Sequence, residues 1–203
     1  MAHPAAAPRI LRPSRAVLSA ALDAIRRFRL IAPGDRIAVG VSGGKDSLLL
    51  LAVLAELSRR GDFDFHFEAV HLDQGQPGFD RAAFSAALAP FDVPLRVLTR
   101  DTWSVVSQRL GPEEIPCSLC SRLRRGILHR YCTEVGFTKL ALGHHFDDAL
   151  ETFFLNLFYG GRLAPLKPCT PTGDGRLVTI RPLILVEEAK IRAWVHSAGL
   201  SPV

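Results

Sequence analysis

Residues 36–60 read RIAVGVSGGKDSLLLLAVLAELSRR. The stretch falls into three pieces. RIAVGV (36–41) is an apolar run entered through Pro33, Gly34 and Asp35, the pattern of a buried strand. DSLLLLAVLAELSRR (46–60) is a leucine-rich helical run. Between them stand Ser42, Gly43, Gly44, Lys45, Asp46 and Ser47. A loop between a strand end and a helix start offers backbone N–H groups and the positive end of a helix dipole to an anion. The two commonest phosphate loops are excluded. A G-x-x-x-x-G-K-[ST] loop ending at Gly44-Lys45 needs glycine at position 39, which is Val39, and Lys45 is followed by Asp46. No G-x-G-x-x-G pattern is present either. The residue types still suit phosphate. Gly43 and Gly44 let the backbone close around pyrophosphate, Ser42 and Ser47 offer hydroxyls, Lys45 neutralises charge and Asp46 can help hold Mg²⁺.

Working outward, strand and helix patterns alternate. An amphipathic helix is expected at about residues 14–29, strands at 65–73 and 94–99, and a helix at 80–91. A long loop then carries Cys117 and Cys120. A helix is expected at 121–136, a strand at 138–143, a helix at 147–161, a strand within RLVTIRPL (176–183) and a last helix closed by Gly199. Such alternation predicts an α/β fold with a parallel sheet covered by helices on both faces and ligands at the carboxyl ends of the strands. Leu150, Phe153, Phe154, Leu157 and Phe158 form an i, i+3, i+4 stripe, expected to be core.

The chain has 203 residues, 48% of them hydrophobic, enough for one sizeable core. Its formal charge is +5, concentrated at the start: Arg9, Arg12, Arg15, Arg26, Arg27 and Arg29 face Asp23 alone in residues 1–30. This basic helical segment is either a solvated face or a docking surface for an anionic partner such as RNA. Residues 31–203 then form the main domain. No apolar run reaches the roughly 18 residues of a membrane span, and MAHPAAAPRI lacks the order of a signal peptide, so a cytoplasmic location is expected. Four cysteines are too few for a disulfide scaffold, and a Cys-x-x-Cys pair points to metal or redox work.

A second polar cluster, GHHFDDALET (143–152), also stands between a strand and a helix. Asp148 followed by Glu151 resembles a capping box, which leaves Asp147, His144 and His145 unexplained. The third cluster is PCSLCSRLRRG, in which Arg122, Arg124 and Arg125 follow the cysteines. Arginines in the first turns of a helix oppose its dipole, by roughly 0.3–1 kcal/mol each when exposed, and nothing acidic lies between residues 115 and 133 to offset them. An RNA phosphate or an anionic cluster would. His129 and Cys132 cannot complete a zinc site with the pair, because His129 lies nine residues along the helix from Cys120, about 13 Å at 1.5 Å per residue. Cys132 reads as a small core residue.

SGGKDS resembles the SGGxDS signature of the PP-loop ATP pyrophosphatases. Together with LDQGQPGF, CSLCSRLRRG, LALGHHFDD and LNLFYGG, it makes the chain similar to the tRNA 2-thiocytidine synthetase family from the first strand to the last helix. CSLCSRLRRG is the specific string, since lysidine synthetases share the first and fourth motifs but not the cysteine pair. The resemblance implies a HUP-type α/β domain, often dimeric. It implies ATP bound by Ser42, Gly43, Gly44, Lys45, Asp46, Ser47, Asp73, Gly143 and His144, with Lys45, Asp46, Asp147 and Asp148 catalytic and Mg²⁺ present. It implies a [4Fe–4S] cluster on Cys117, Cys120 and a third cysteine, and a tRNA held by Arg122, Arg124 and Arg125. The third cysteine is expected just after the last helix, beyond Val203, so the domain is expected to be truncated there. Cys169 is a possible substitute.

The implied reaction adenylates the C2 oxygen of an anticodon-loop cytidine, position 32 in the family, and replaces it with sulfur from a donor such as a cysteine desulfurase. Adenylation answers a physical need, because the C2 oxygen is a very poor leaving group and AMP is a good one. An anticodon-loop base is single-stranded and can be turned out into a pocket. Phe146 stands where many relatives carry a basic residue. Two other readings fit the same motifs: a uridine thiolase with the same adenylation step, and a non-catalytic module that binds ATP and RNA.

Overall fold

The structure is a computed structural model and describes residues 11–104 and 117–200. In chain order it contains α1 (Arg15–Arg27), β1 (Asp35–Gly40), α2 (Lys45–Arg60), β2 (Phe65–Asp73), α3 (Arg81–Leu88) and β3 (Leu95–Thr99). Then come α4 (Cys117–Val135), β4 (Lys139–Ala141), α5 (Phe146–Gly160), β5 (Cys169–Pro171), β6 (Val178–Ile180) and α6 (Glu188–Ala198). The strands form one sheet in the order β3-β2-β1-β4-β6-β5. All neighbours are parallel except β5, which runs antiparallel to β6. The expected HUP-type sheet with helices on both faces is observed.

Strand β1 shows why the sheet is buried on both sides. Successive side chains point to opposite faces. Ile37 and Val39 join one core with α1, α2 and α6. Ala38 joins a second core with Val70, Leu128, Cys132, Phe137, Leu140 and Leu177. Helix α2 is apolar all round because it is enclosed all round: Leu49, Leu50, Leu51, Ala52, Val53, Leu54 and Leu57 have no exposed surface. Fully burying each leucine contributes about 1.5–3 kcal/mol. Ser14 caps α1, accepting a hydrogen bond from the Val17 N–H at 3.3 Å. Val17, Ala21 and Ile25 then enter the same core as α2.

Three expectations are corrected. The sequence between residues 176 and 183 yields only the three-residue β6, and the edge strand β5 was not foreseen. Exposed and ending in Pro171, β5 lacks the apolar run that marks a buried strand, and proline is tolerated at an edge. Helix α4 starts at Cys117 rather than at 121, so the two cysteine positions lie one turn apart on the helix. The stripe on α5 is not core. Leu150, Phe154 and Phe158 are 41%, 47% and 74% exposed, and no residue of α5 is buried. Periodicity shows that a helix has an apolar face; it does not show what covers that face.

The sheet grows from β1 outward to β3, then restarts at β4 on the other side of β1. The crevice at the carboxyl ends of β1 and β4 is therefore a topological switch point, where open α/β sheets bind ligands.

Candidate active site

The loop after β1 is folded by its own hydroxyls. Ser47 Oγ donates to the Gly44 carbonyl at 2.8 Å and accepts from the Ser42 N–H at 3.2 Å. Ser42 Oγ accepts from the Gly44 N–H at 3.3 Å and lies 3.3 Å from Ser47 Oγ. Ser47 is buried, and its hydroxyl hydrogen serves the loop. Gly43 stands at φ +87°, a conformation open to glycine at no steric cost. Gly44 caps α2 with no side-chain cap hydrogen bond, which leaves the helix N-terminus to an outside acceptor.

The second turn, after β4, is pressed against this loop. A methyl group on Gly143 would stand 2.9 Å from the Asp46 carbonyl carbon and 3.0 Å from the Ser47 nitrogen. Only glycine permits that approach, so the two polar motifs form one site. His145, not Asp148, is the N-cap of α5, and its N–H donates to Asp148 Oδ2 at 2.7 Å. The buried imidazole lies among three carboxylates: Nε2 is 3.7 Å from Asp46 Oδ1 and from Asp148 Oδ2, and Nδ1 is 3.6 Å from Asp147 Oδ2. Asp147 also accepts the Glu188 N–H at 2.7 Å, which ties α5 to the start of α6.

Lys45 is held by two acids. Its Nζ lies 3.0 Å from Glu188 Oε1 and 3.1 Å from Asp46 Oδ1. Burial works against the charge, but the hydrogen bonds to Glu188 and Asp46 outweigh it, and the ammonium's pKa stands above the ordinary lysine value. Glu188 is in turn held by Arg192, whose Nη2 reaches both carboxylate oxygens at 2.9 and 3.0 Å. The Lys45 and Arg192 contacts hold the Glu188 carboxyl below the usual carboxylate range.

A cleft of about 590 Å³ opens beside these residues, lined by Ser42, Asp46, Ser47, Asp73, Gly143, His144 and Asp148. Of the residues expected to bind ATP or act in catalysis, Gly43, Gly44, Lys45 and Asp147 are not in its lining. Its apolar side includes Val70, Leu72, Phe79, Phe84 and Leu128. His71 stacks on Phe79 with ring centres 4.9 Å apart, and its Nδ1 hydrogen-bonds the Val41 carbonyl at 2.8 Å. Burial pushes the His71 pKa down, so the ring is neutral near pH 7 and Nδ1 is the donor. Asp73 Oδ1 accepts the Gly75 N–H at 2.9 Å. Arg124 forks onto Gln74 Oε1 at 2.9 and 2.6 Å, and Ser121, Arg124 and Arg125 line the α4 side of the cleft. Arg122 is exposed and outside the lining.

The carboxylates suit Mg²⁺ in the manner usual for nucleotide sites, one or two acids plus substrate phosphates. Asp46 and Asp148, both in the cleft lining, could supply them. The fit to a [4Fe–4S] cluster is incomplete. Cys117 and Cys120 share the first turn of α4, and Cys120 adjoins the lining residue Ser121. Cys132 is fully buried with its thiol pKa pushed up to about 12 by that burial, as befits a core residue. Cys169 lies exposed on β5. Among the described residues no three cysteine, histidine or acidic side chains converge as a metal site. Residues beyond Val203 fall outside the chain, and Cys117's side chain falls outside the described set.

Sequence reasoning missed Glu188, Gln74, His71 and Phe79. Gln74 and Phe79 stood inside the quoted LDQGQPGF. Glu188 read only as an acid in the first turn of a helix, with nothing to connect it to Lys45.

The PP-loop domain family matches residues 18–201. The tRNA-cytidine(32) 2-sulfurtransferase of Alkalilimnicola ehrlichii is 52% identical over 174 residues, which cover 86% of this chain and 55% of that protein. The protein of the same description from Anaeromyxobacter dehalogenans is 48% identical over 189 residues, 93% of this chain and 65% of that one. The chain thus spans between half and two thirds of the length of these relatives. Among solved structures, the U34-tRNA thiolase NcsA from Methanococcus maripaludis with its [4Fe–4S] cluster matches with a TM-score of 0.73 at 22% identity, over 93% of this chain and 65% of that one. The resemblance drawn from the five sequence strings is borne out. With the Ser42–Ser47 loop at the switch point of the sheet and a family match that runs from α1 past the end of α6, the chain belongs to the PP-loop domain family.

Proposed function

We propose that this chain is the nucleotide-activating part of a tRNA thiolase acting on an anticodon-loop cytidine. The observation that carries the reading is the close approach of Gly143 to Asp46, which joins an anion loop and a carboxylate turn over one cleft. Pyrophosphate of Mg-ATP lies on the Gly43–Gly44 backbone and the N-terminus of α2, with Lys45, positioned by Glu188, beside it. The apolar side of the cleft, at Leu72 and Phe79, takes the adenine. Asp46 and Asp148 would hold Mg²⁺, which would offset the charge of the phosphates. The cytosine C2 oxygen attacks the α-phosphorus, the bond to the β-phosphate oxygen breaks, and pyrophosphate leaves. Sulfide-level sulfur then attacks C2: the C2–S bond forms, the C2–O bond breaks, and AMP leaves with that oxygen.

A [4Fe–4S] cluster would carry the sulfur in this reading, with Cys117 and Cys120 as two ligands and the third proposed to lie outside residues 1–203. The exposed arginines of α1 and of α4 support a tRNA partner. A sulfur donor such as a cysteine desulfurase, with a two-electron reductant that brings its persulfide sulfur to the sulfide level, completes the reaction, in the cytoplasm. The exposed apolar residues of α5, among them Leu155 and Tyr159 at 58% and 87%, support a homodimer through that face. Among the described residues no helix is long and apolar enough to cross a membrane.

Mass spectrometry of tRNA nucleosides from a deletion strain tests the reading. Loss of 2-thiocytidine with all other modified nucleosides retained is expected. Unchanged 2-thiocytidine, or loss of a thiouridine instead, contradicts it.

A further inference from the structure

At the ends of β4 and β6, one and two strand positions from the strand that carries the Ser42–Ser47 loop, basic side chains stand without acidic partners. Arg181 follows β6 directly and is 9% exposed. Its Nη1 donates to the Lys167 carbonyl at 2.7 Å and to Thr170 Oγ1 at 3.3 Å, both neutral. Its Nε is buried with no partner. A buried guanidinium without a counter-charge is costly, and the same group becomes favourable when an anion completes it. His144 follows β4, the neighbouring strand, and its Nδ1 is also buried without a partner. Strand ends β4 and β6 are joined there by the Leu142 N–H to the Ile180 carbonyl at 3.0 Å. Arg125 of α4 lines the cleft with His144, and no carboxylate pairs with it among the described residues.

The three groups feel one another. Burial and the nearby Arg125 charge both lower the basicity of Arg181. Burial first, then the charge of Arg181, lowers that of His144; Arg125 adds to this, and Asp148 opposes it. Asp148 is the carboxylate whose charge acts on His144, and its Oδ2 already accepts the His145 N–H at 2.7 Å. Two arginines and an imidazole therefore lie within reach of one another's charge, and Arg181 Nε and His144 Nδ1 have no partner.

We propose that Arg125, Arg181 and His144 form a second phosphate site, separate from the pyrophosphate loop. In the sheet order β1-β4-β6, two strand spacings of about 4.8 Å put the Arg181 end of this site about 10 Å from the strand that carries the loop, with His144 between them. A phosphate here is either the α-phosphate end of the bound nucleotide or a phosphodiester of the polynucleotide that presents the target base. The second source rests on the thiolation reading; the site itself does not.

The test uses the 203-residue chain carrying Lys45→Ala, which weakens the first phosphate site. Inorganic phosphate should raise its melting temperature in a dose-dependent way. Adding Arg181→Gln or Arg125→Gln should remove that rise. Arg125 is exposed, so its variant tests the site even where Arg181→Gln folds poorly. With Lys45 intact, an anticodon stem-loop RNA and AMP are titrated separately. Either single variant should bind the RNA roughly tenfold more weakly, with AMP affinity unchanged. The salt slope should fall by about 0.7, one single-strand phosphate. Weakening of AMP rather than RNA would still support the site and assign it to the nucleotide. If the chain binds no RNA but loses its phosphate response in Arg181→Gln, the site stands and the thiolation reading fails. An equal phosphate response in all variants, with RNA and AMP affinities unmoved, overturns the proposal.

Discussion

Gly143 and Asp46 meet backbone to backbone, at a separation where a Cβ on Gly143 would overlap the Asp46 carbonyl carbon at 2.9 Å. Neither partner can yield easily, because Asp46 opens α2 and α2 is enclosed by the core. Gly143→Ala should therefore push the start of α2 out of place. Overpacking of this kind costs about 1–3 kcal/mol. Thermal denaturation should show that loss, and equilibrium binding of an ATP analogue should weaken by about tenfold or more.

The Lys45–Glu188 pair predicts a divided response. Glu188 adds a second negative charge beside the phosphate loop and also fixes where the ammonium stands. In Glu188→Gln, ATP should bind tighter by on the order of threefold, the scale of one exposed ion pair. Pyrophosphate release should slow, because Lys45 is no longer positioned. A parallel change in both quantities would show that Glu188 acts only through the fold.

Acid should destabilise the protein through its buried histidines. Burial lowers the pKa of His71, His129 and His144 below the ordinary value of 6.5. Below 6.5 the unfolded chain takes up protons that the folded chain refuses. Stability is therefore full above 6.5 and falls as pH drops towards the lowered folded values. Melting temperatures between pH 8 and pH 5 should fall on the acid side, and His71→Gln should make that fall shallower.

Anaerobic reconstitution with iron and sulfide should leave the 203-residue chain without a stable four-iron cluster. Cluster ligation is dominated by cysteine, and the first turn of α4 provides two positions. Iron and sulfide analysis after desalting measures this directly. A four-iron cluster that survives in the chain and vanishes in Cys169→Ser would make Cys169 the third ligand.

The fold and the phosphate loop were legible in the sequence because both write local signals. A strand, a Gly-Gly turn and a helix follow one another within residues 36–60, and their order alone puts the loop at a strand end. His145 and Glu188 were not legible as site residues. The pairings of His145 with Asp46 and of Glu188 with Lys45 and Asp147 are set by the sheet order, which brings the starts of α5 and α6 to the same edge as β1. Arg124 was read as an RNA contact, and its fork onto Gln74 links residues 50 apart, a pairing no local pattern announces. Helix α5 failed for the opposite reason: its signal was strong, but it reported an apolar face and not a partner.

The measurement that bears most directly on the account is product analysis with Mg-ATP and a cytidine-containing anticodon stem-loop RNA. The account predicts AMP and pyrophosphate in equal amounts, dependent on the RNA, and absent in Asp46→Ala with circular dichroism unchanged. ADP and inorganic phosphate as products, or full turnover by Asp46→Ala, would contradict it.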